Sequence, residues 1–449
     1  MLTIRFLALA LFVPALLLLS ALLPILAFVA TLYGIGLLVV TWLDRQAAGT
    51  ASQFTIQRLH DDKLSLGTSN PITLAVESRV GRSVTLTLRD EPPLLFNGSD
   101  YENSTHTLTG VMPRTPTEAT YYVRPVKRGD FDFGDINLRY DSPLGLYTRQ
   151  ATVPAAETVK VYPNLYELRK YDLLVRRDQL AEMGLRNVRM RGEGSMFESL
   201  REYSQGDPYK TINWKATARR GTPISTQYEP ERSQRVLVML DIGRMMSSPV
   251  LVEDEADGIN WNMAKIDFVL NSVLLFSYVA TLKGDQVGML TFADQVRQYI
   301  PPGTGRGHFQ KLLAAMYALQ SEPVEPDYVR ALSFLRAQSS KRALVVLFTD
   351  LSGQRALEAM TQHVPRLLPR YLPLVVTIRD PALDEEARQS LTSSDAVYRR
   401  AVAEDMIKER RLLLETLQRQ GVYTLDVPAE KMTMAVVNQY LQLKARQHI

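Results

Sequence analysis

The chain has 449 residues, so two or three domains are expected, because a single hydrophobic core rarely extends over that length. Hydrophobic residues make up 46% and charged residues 22%, which is ordinary for a protein that buries real cores. The net charge of +4 is a mild bias and not a nucleic-acid-binding signature, and the absence of cysteine excludes disulfides, thiolate nucleophiles and cysteine-ligated zinc.

The N-terminal segment, residues 1–45, predicts two transmembrane helices. The 38 residues between Arg5 and Asp44 include no charged side chain. As one helix they would extend about 57 Å across a hydrocarbon core of about 30 Å, so a hairpin folded around residues 20–24 is the better interpretation. Arg5 and Arg45 flank the stretch, which predicts that both ends and the bulk of the chain are cytoplasmic. The alternative is a signal peptide followed by a single anchor, which would place the bulk outside.

Residues 46–163 have the pattern of short strands separated by turns. The segments "PITLAVES" (71–78) and "SVTLTLRD" (83–90) alternate apolar with polar residues, as half-buried strands do. Several strands at this spacing predict an antiparallel β-sandwich of the immunoglobulin-like kind. Residues 164–234 form a connecting region in which Lys and Arg outnumber Asp and Glu by 14 to 9 between Leu168 and Arg235.

Residues 235–449 predict a doubly wound α/β domain. Apolar runs such as "RVLVML", "QVGMLTFA", "RALVVLFTD" and "YLPLVVTI" alternate with helical patterns. Strands that are almost continuously apolar are buried on both faces, which is typical of a parallel sheet covered by helices on each side.

Two carboxylates follow strands of this predicted sheet, Asp241 after "RVLVML" and Asp350 after "RALVVLFT". Ligands of such sheets bind beyond the carboxyl ends of the strands, and two carboxylates there can hold a hard cation such as Mg2+. The alternative is that each aspartate caps the helix that follows it.

The stretch "REYSQGDPYKTINWKATARRG" (201–221) combines bulk, charge and turn residues. Interleaved acidic residues favour internal ion pairs over a phosphate track, so no nucleic acid is expected as a partner. We expect Ile212 and Trp214 to pack inward while Lys215 and Arg219 reach carboxylates, which would make the stretch a clasp between the β and α/β domains. Docking of another protein is the alternative, because Trp, Tyr and Arg dominate protein interfaces.

These motifs carry a resemblance to a known family. The strand ending at Asp241, followed by "GDQVGMLTFADQV" and "VLFTDLSG", resembles a von Willebrand factor type A domain. Together with "RGDFDFGDINLRYDSPLGLY" and the 201–221 stretch, nearly the whole chain resembles the bacterial membrane proteins of domain of unknown function 58. The residues in register with that family's signature are Arg201, Tyr203, Gly206, Asp207, Ile212, Trp214, Lys215, Ala218 and Arg219.

The resemblance implies a two-pass protein of the bacterial inner membrane whose partner is a MoxR-type AAA+ ATPase, with which it would act in assembling or activating other proteins. It names no client protein. Type A domains bind metal through Asp-x-Ser-x-Ser, but this chain has Gly243 and Met245 at the serine positions after Asp241. Glycine offers no side-chain oxygen and Mg2+ rejects a thioether, so we expect no cofactor, and Mg2+ at most weakly at Asp241 and Asp350.

The expected function is therefore a membrane-anchored interaction protein and not an enzyme. No Gly-x-Ser-x-Gly elbow occurs, and "GTGRG" (303–307) lacks the Lys-Ser/Thr of a phosphate-binding loop. Two alternatives stay open: a metal-dependent hydrolase that uses Asp241 and Asp350, and a structural cell-envelope protein that has no ATPase partner.

Overall fold

A computed structural model describes residues 1–97, 104–176, 196–204, 207, 209–229, 233–253, 260–338, 341–350, 354–379, 381–388 and 393–446. The chain divides into two compact units, Met1–Tyr162 and Pro163–Ile449, each with its own internal packing. The units are described in turn.

The first unit begins with three apolar helices: α1 Ile4–Ala10, α2 Phe12–Leu19 and α3 Ile25–Ala47. Helix α3 is long and apolar enough to cross a membrane, and only 11% of its most apolar window is buried. Lys265–Leu282 in the second unit passes the same test of length and composition, but 83% of it is buried, so it is an interior helix. The hydroxyl of Tyr33 on α3 donates to the carbonyl of Leu9 at 3.1 Å, which ties the two legs of the hairpin together.

Eleven strands follow among the described residues of this unit: β1 Phe54–Leu59, β2 Lys63–Ser65, β3 Asn70–Ser78, β4 Val84–Arg89, β5 Phe96–Asn97, β6 Thr105–Val111, β7 Thr117–Pro125, β8 Gly129–Phe133, β9 Ile136–Asp141, β10 Thr148–Val153 and β11 Glu157–Tyr162. They form two four-stranded antiparallel sheets, β1-β3-β7-β5 and β10-β9-β4-β6, and a three-stranded sheet, β2-β11-β8. Alternate residues of β3 and β4 are fully buried, which produces the period-2 pattern of their sequences. The rings of Phe54 and Tyr140, one from each four-stranded sheet, lie 4.8 Å apart in the core.

The base of the helical hairpin is fixed to the turn between β9 and β10. The carboxylate of Asp44, which is 3% exposed, accepts hydrogen bonds from the Ser142 hydroxyl and from the backbone N–H groups of Leu144 (2.8 Å) and Leu146 (3.1 Å). At the other end of the hairpin, the Thr3 hydroxyl donates to a carbonyl of the same turn at 2.6 Å. Both ends of the hairpin therefore dock on one turn of the β region.

The second unit contains these helices and strands, in chain order: α4 Leu165–Arg176, β12 Met196–Glu202, α5 Trp214–Arg220, β13 Ile224–Glu229, β14 Arg235–Asp241, β15 Pro249–Glu253, β16 Asn260–Ala264, α6 Lys265–Leu282, β17 Gln286–Phe292, β18 Val296–Gly303, α7 Arg306–Ala318, α8 Tyr328–Gln338, β19 Ala343–Thr349, α9 Gln354–His363, β20 Tyr371–Arg379, α10 Pro381–Arg388, α11 Ser394–Arg419, β21 Tyr423–Pro428 and α12 Ala429–Ala445.

Six of these strands form one sheet in the order β18-β17-β14-β19-β20-β21. All neighbours are parallel except the edge strand β18, which runs antiparallel to β17. The chain builds outward from β14 to one side and then returns to place β19 on its other side. The order therefore reverses between β14 and β19, and a sheet of this kind binds ligands beyond the carboxyl ends of the strands at such a point.

Helices cover both faces of this sheet, so the central strands are buried throughout. Leu237, Met239 and their neighbours on one face pack against α8, α9 and α11. Helices α6 and α12 contact each other and cover the opposite face, where the rings of Phe276 and Tyr440 lie 5.3 Å apart. Because α6 is enclosed on almost every side, its first residue, Lys265, is also buried.

Candidate functional site

Asp241 ends strand β14 at the reversal point and is 2% exposed. We use the name rim cluster for Asp241, Thr349, Tyr328, Lys265 and Asp350. Oδ2 of Asp241 accepts hydrogen bonds from the Thr349 hydroxyl at 2.7 Å and from the Tyr328 hydroxyl at 3.0 Å. Oδ1 accepts from the backbone N–H of Gly243 at 2.8 Å, so Asp241 closes a turn with the residue two positions on.

The surroundings of Asp241 disfavour its charge. Burial raises the pKa of this carboxyl to about 6, even though the hydrogen bonds from Thr349, Gly243 and Tyr328 lower it, and the nearby charge of Asp350 raises it further. Burial and the charge of Asp241 likewise raise the pKa of Tyr328, which keeps that phenol protonated as a donor.

Asp350, which follows β19, lies beside a buried cation. The Lys265 ammonium donates to Oδ2 of Asp350 at 2.7 Å, and the two residues are 5% and 3% exposed respectively. The guanidinium of Arg410 lies 3.8 Å from the other carboxylate oxygen and is held by Asp426 at 2.6 Å. Asp350 is therefore compensated by positive groups from α6 and α11.

This arrangement does not fit the metal site of a type A domain. A Cβ atom at Gly243 would lie 2.9 Å from the carbonyl oxygen of Val324 and 2.9 Å from Cδ of Pro326, so a serine there would collide with its surroundings. Met245 offers only a thioether, which is a poor ligand for Mg2+. The carboxylate of Asp350 is already bound by the ammonium of Lys265. Within the described ranges no group of three or more His, Asp or Glu side chains could hold a metal ion.

Three members of the rim cluster carry no clear sequence signal. Thr349 and Tyr328 supply hydroxyls to Asp241, and Lys265 supplies a cation to Asp350. Tyr328 begins α8 and carries no motif that marks it in the sequence. Lys265 is a lone cation at the start of an otherwise apolar helical pattern, a position where a charge is more often solvated.

The 201–221 stretch forms a second cluster on a small framework of its own. Strands β12 and β13 pair antiparallel, and α5 lies between them in the chain. Asn213 caps α5 by accepting from the N–H of Ala216 at 3.0 Å, and Gly221 ends it with a left-handed φ of 73°. Ile224 is fully buried beneath the helix, so the framework has a core residue of its own.

The turn at the start of this framework is held by Asp207. Arg201 donates to its carboxylate at 2.6 Å and the N–H of Ser204 donates at 3.1 Å, and these bonds lower the pKa of Asp207. The Tyr203 hydroxyl donates to the Asp207 carbonyl at 3.1 Å, and its ring stacks on that of Tyr209. Three of the four signature residues of this turn therefore serve its local geometry. The fourth, Gly206, lies outside the described residues.

Helix α5 presents the rest of the signature to solvent. Trp214, Lys215, Ala218 and Arg219 lie within about 140° of its circumference and are all exposed, while Ile212, just before the helix, is half-buried. The expectation that Trp214 packs inward is wrong, since 70% of it is exposed. A helix of about two turns can direct the indole of its first residue to either side, and here the buried position beneath α5 belongs to Ile224 of β13.

A cleft of about 400 Å3 runs along this helix. Its cationic wall consists of Lys215, Arg219 and Arg220, and the exposed side chain of Leu200 forms its apolar floor above the buried Ile224. Among the described side chains these three cations form no ion pair, but the side chains of Glu229 and Glu231 lie outside the described residues, so the expectation that Lys215 and Arg219 reach carboxylates stays a prediction. The face is therefore cationic and aromatic, and the clasp interpretation stays a prediction.

Both clusters fall inside one family match. The model of the family described as "Protein of unknown function DUF58" matches residues 199–387. That segment starts in β12 and ends in α10, so it covers the 201–221 framework, Asp241, Lys265 and Asp350.

Relatives of this chain are themselves uncharacterized. An uncharacterized protein of Bacillus subtilis (strain 168), YeaD, is 28% identical over 122 residues, which are 27% of this chain and 30% of that protein. An uncharacterized protein of Mycobacterium tuberculosis, Rv1480, is 22% identical over 164 residues, which are 36% of this chain and 49% of that protein. The chain thus covers less than half the length of either relative.

Solved structures similar to this chain include an uncharacterized membrane spanning protein from Vibrio fischeri, at 11% identity, 47% of this chain, 98% of that chain and a TM-score of 0.19. Proximal thread matrix protein 1 from the mussel byssus matches at 12% identity, 48% of this chain, 47% of that chain and a TM-score of 0.29. At these TM-scores neither likeness carries an argument.

Proposed function

We propose that this protein is a membrane-anchored, non-enzymatic interaction protein that works with a MoxR-type AAA+ ATPase in the assembly or activation of other proteins. The observation that carries the proposal is the exposed face of α5, where Trp214 lies beside Lys215 and Arg219. A large exposed aromatic side chain is uncommon on a free surface, and tryptophan and arginine are the residues enriched where protein interfaces form.

The charge of this face specifies the chemistry of its partner. Lys215, Arg219 and Arg220 border a cleft with an apolar floor, so the segment that fits has carboxylates around an apolar or aromatic side chain. In this proposal the acidic segment belongs to the ATPase, which supplies the energy for which this chain has no phosphate-binding loop.

The fold assignment that goes with this role is a von Willebrand factor type A-like domain. The strand order, the antiparallel edge strand β18 and the position of Asp241 and Asp350 at the reversal point support it. The two aspartates are only 2% and 3% exposed, so they shape the rim from below instead of touching a partner.

The hydrolase alternative is less well supported by the same geometry. A metal-bound water needs carboxylate oxygens that are open to an ion and a substrate. Both oxygens of Asp241 accept hydrogen bonds from protein donors, and Asp350 is paired with Lys265. An activity screen in which Asp350→Asn abolished a turnover would nevertheless favour the enzyme.

Binding of a purified MoxR-type ATPase to the full-length protein in nanodiscs tests the proposal. We expect the variant Trp214→Ala/Lys215→Glu/Arg219→Glu to weaken binding at least about tenfold, because it removes one aromatic anchor and reverses two charges. The matched control is Tyr398→Ala/Arg366→Glu/Arg370→Glu, which changes an aromatic residue that is also 70% exposed and two exposed arginines elsewhere. Equal binding by both variants would refute the role of α5, and no binding by the wild type would favour a structural envelope protein.

The proposed location is the bacterial inner membrane, crossed twice by the hairpin, with the bulk of the chain in the cytoplasm. Helix α3 and the flanking Arg5 and Arg45 support this orientation. Because the chain has no cysteine, single substitutions report topology cleanly. We expect Ala21→Cys in the hairpin turn to react with an impermeant maleimide in intact cells, and the exposed Gln362→Cys to react only after lysis. The opposite pattern would indicate a single anchor with the bulk outside.

A further inference from the structure

We propose that the ammonium group of Lys265 takes the place of the divalent cation at the rim cluster, so that this protein carries its own fixed cation there. The comparison with metal-binding type A domains rests on the proposed fold assignment. The contacts of Lys265 are independent of it.

A two-stranded ribbon places Lys265 at the carboxyl edge of the sheet. After β14, strands β15 and β16 form a two-stranded ribbon in which Pro249 lies opposite Ala264. The ribbon returns the chain to the rim, where the N–H of Lys265 donates to the carbonyl of Ser248 at 3.0 Å and α6 begins. The lysine side chain therefore starts at the carboxyl end of the sheet and not at a solvated helix end.

Charge balance at Asp350 favours lysine over a metal. Its Oδ2 lies 2.7 Å from the Lys265 ammonium, and its Oδ1 lies 3.8 Å from the Arg410 guanidinium. A buried ammonium persists only where a buried negative group compensates it. A divalent ion would have to displace Lys265 into an apolar interior, which makes the two cations mutually exclusive.

The Asp241 side of the cluster is closed as well. Its two oxygens accept hydrogen bonds from Thr349, Tyr328 and Gly243, which hold the carboxylate without an ion. Gly243 also leaves no room for a serine at its own position, so a hydroxyl ligand would have to come from elsewhere, such as a serine at position 265. The carboxylates of Asp241 and Asp350 are thus held by protein groups alone. Partner binding should therefore depend on neither Mg2+ nor chelators.

Manganese titration of the full-length protein in detergent, followed by electron paramagnetic resonance and by thermal unfolding, tests this inference. We expect wild-type protein to bind no Mn2+ stoichiometrically and to keep its Tm in millimolar Mg2+ or in chelator. Lys265→Ser should lower the Tm of the second unit by about 10 °C, because it leaves Asp350 buried without its ammonium. That variant should gain a Mn2+ site that restores part of the Tm, and Lys265→Ser/Asp350→Asn should lose it again.

The matched control is Lys283→Ser, at the exposed C-terminal end of the same helix, which should change neither the Tm nor Mn2+ binding. Stoichiometric Mn2+ binding by wild type that Asp241→Ala abolishes would overturn the inference, and so would a folded Lys265→Ser protein that binds none. If Lys265→Ser does not fold, Lys265→Arg decides: retention of the cation predicts no Mn2+ site, and a site there would overturn the inference. Because no readout involves a partner, failure of ATPase binding would leave these results standing.

Discussion

Replacing Asp90 with alanine should destabilise the first unit by about 3–5 kcal/mol, because the buried Arg58 guanidinium loses its enclosed carboxylate and keeps only that of the partly exposed Glu157, 3.0 Å away. Asp90 follows β4 and is 1% exposed. Its carboxylate accepts from Arg58 at 2.5 and 3.0 Å and from the Tyr121 hydroxyl at 2.5 Å. Arg58 is enclosed as well, with its guanidinium 4.6 Å from the centre of the Phe133 ring.

The measurement is the thermal transition of the first unit in the full-length protein, which should fall by roughly 10 °C. Tyr121→Phe removes a single hydrogen bond and should cost only about 1–3 kcal/mol. The matched control is Asp62→Ala, an exposed carboxylate of the same unit, which should change little. Arg58→Met/Asp90→Ala should recover part of the loss, because the buried guanidinium that Asp90 compensates is then also absent. If Asp90→Ala were as stable as the Asp62→Ala control, water would have to reach the guanidinium of Arg58 and this prediction would be wrong.

The parts of the fold that follow from side-chain periodicity were accessible from the sequence. The apolar runs after residue 235 are the strands β14, β17, β19 and β20, and the alternating "PITLAVES" and "SVTLTLRD" are β3 and β4. Their burial follows from the pattern itself, because one-sided or two-sided packing determines which positions stay polar. Asp241 and Asp350 were placed at the carboxyl edge by the same reasoning.

The contacts that decide the chemistry of the site were not accessible in this way. Whether Lys265 is solvated or pairs with Asp350 depends on a ribbon, β15 with β16, that brings the start of α6 to the rim. Whether Trp214 is buried depends on which residue fills the space beneath α5, and Ile224 fills it. Both outcomes depend on three-dimensional neighbours 85 and 10 residues away, which a local pattern does not encode.

The segment at the base of the hairpin has a composition whose physical reason lies in its contacts with Asp44. The segment "DSPLGLY" was part of the resemblance, but only the structure explains its composition. Asp44 needs a turn that offers a hydroxyl and two free N–H groups, and Ser142 with the backbone of Leu144 and Leu146 supplies them. This contact joins the helical hairpin to the β region within the first unit.

Glu167 should make the second unit less stable as the pH rises, and Glu167→Gln should remove that dependence. Burial at the start of α4 raises the pKa of Glu167 from 4.5 to about 7, and Lys170 lowers it only in part. Its Oε2 is buried without a hydrogen-bond partner among the described residues. The folded state therefore holds the proton more tightly than the unfolded chain, so stability falls as the pH rises from about 4.5 to about 7 and stays reduced above that range.

Since one pKa unit corresponds to about 1.4 kcal/mol, the ionised carboxylate costs the second unit roughly 3 kcal/mol near pH 8. Glu167→Gln should raise the Tm of this unit by about 6–12 °C near pH 8 and leave it nearly unchanged near pH 4. The matched control is Glu430→Gln, an exposed glutamate in the first turn of α12, for which no difference is expected at either pH. A Glu167→Gln protein no more stable than wild type near pH 8 would mean that the ionised carboxylate reaches water.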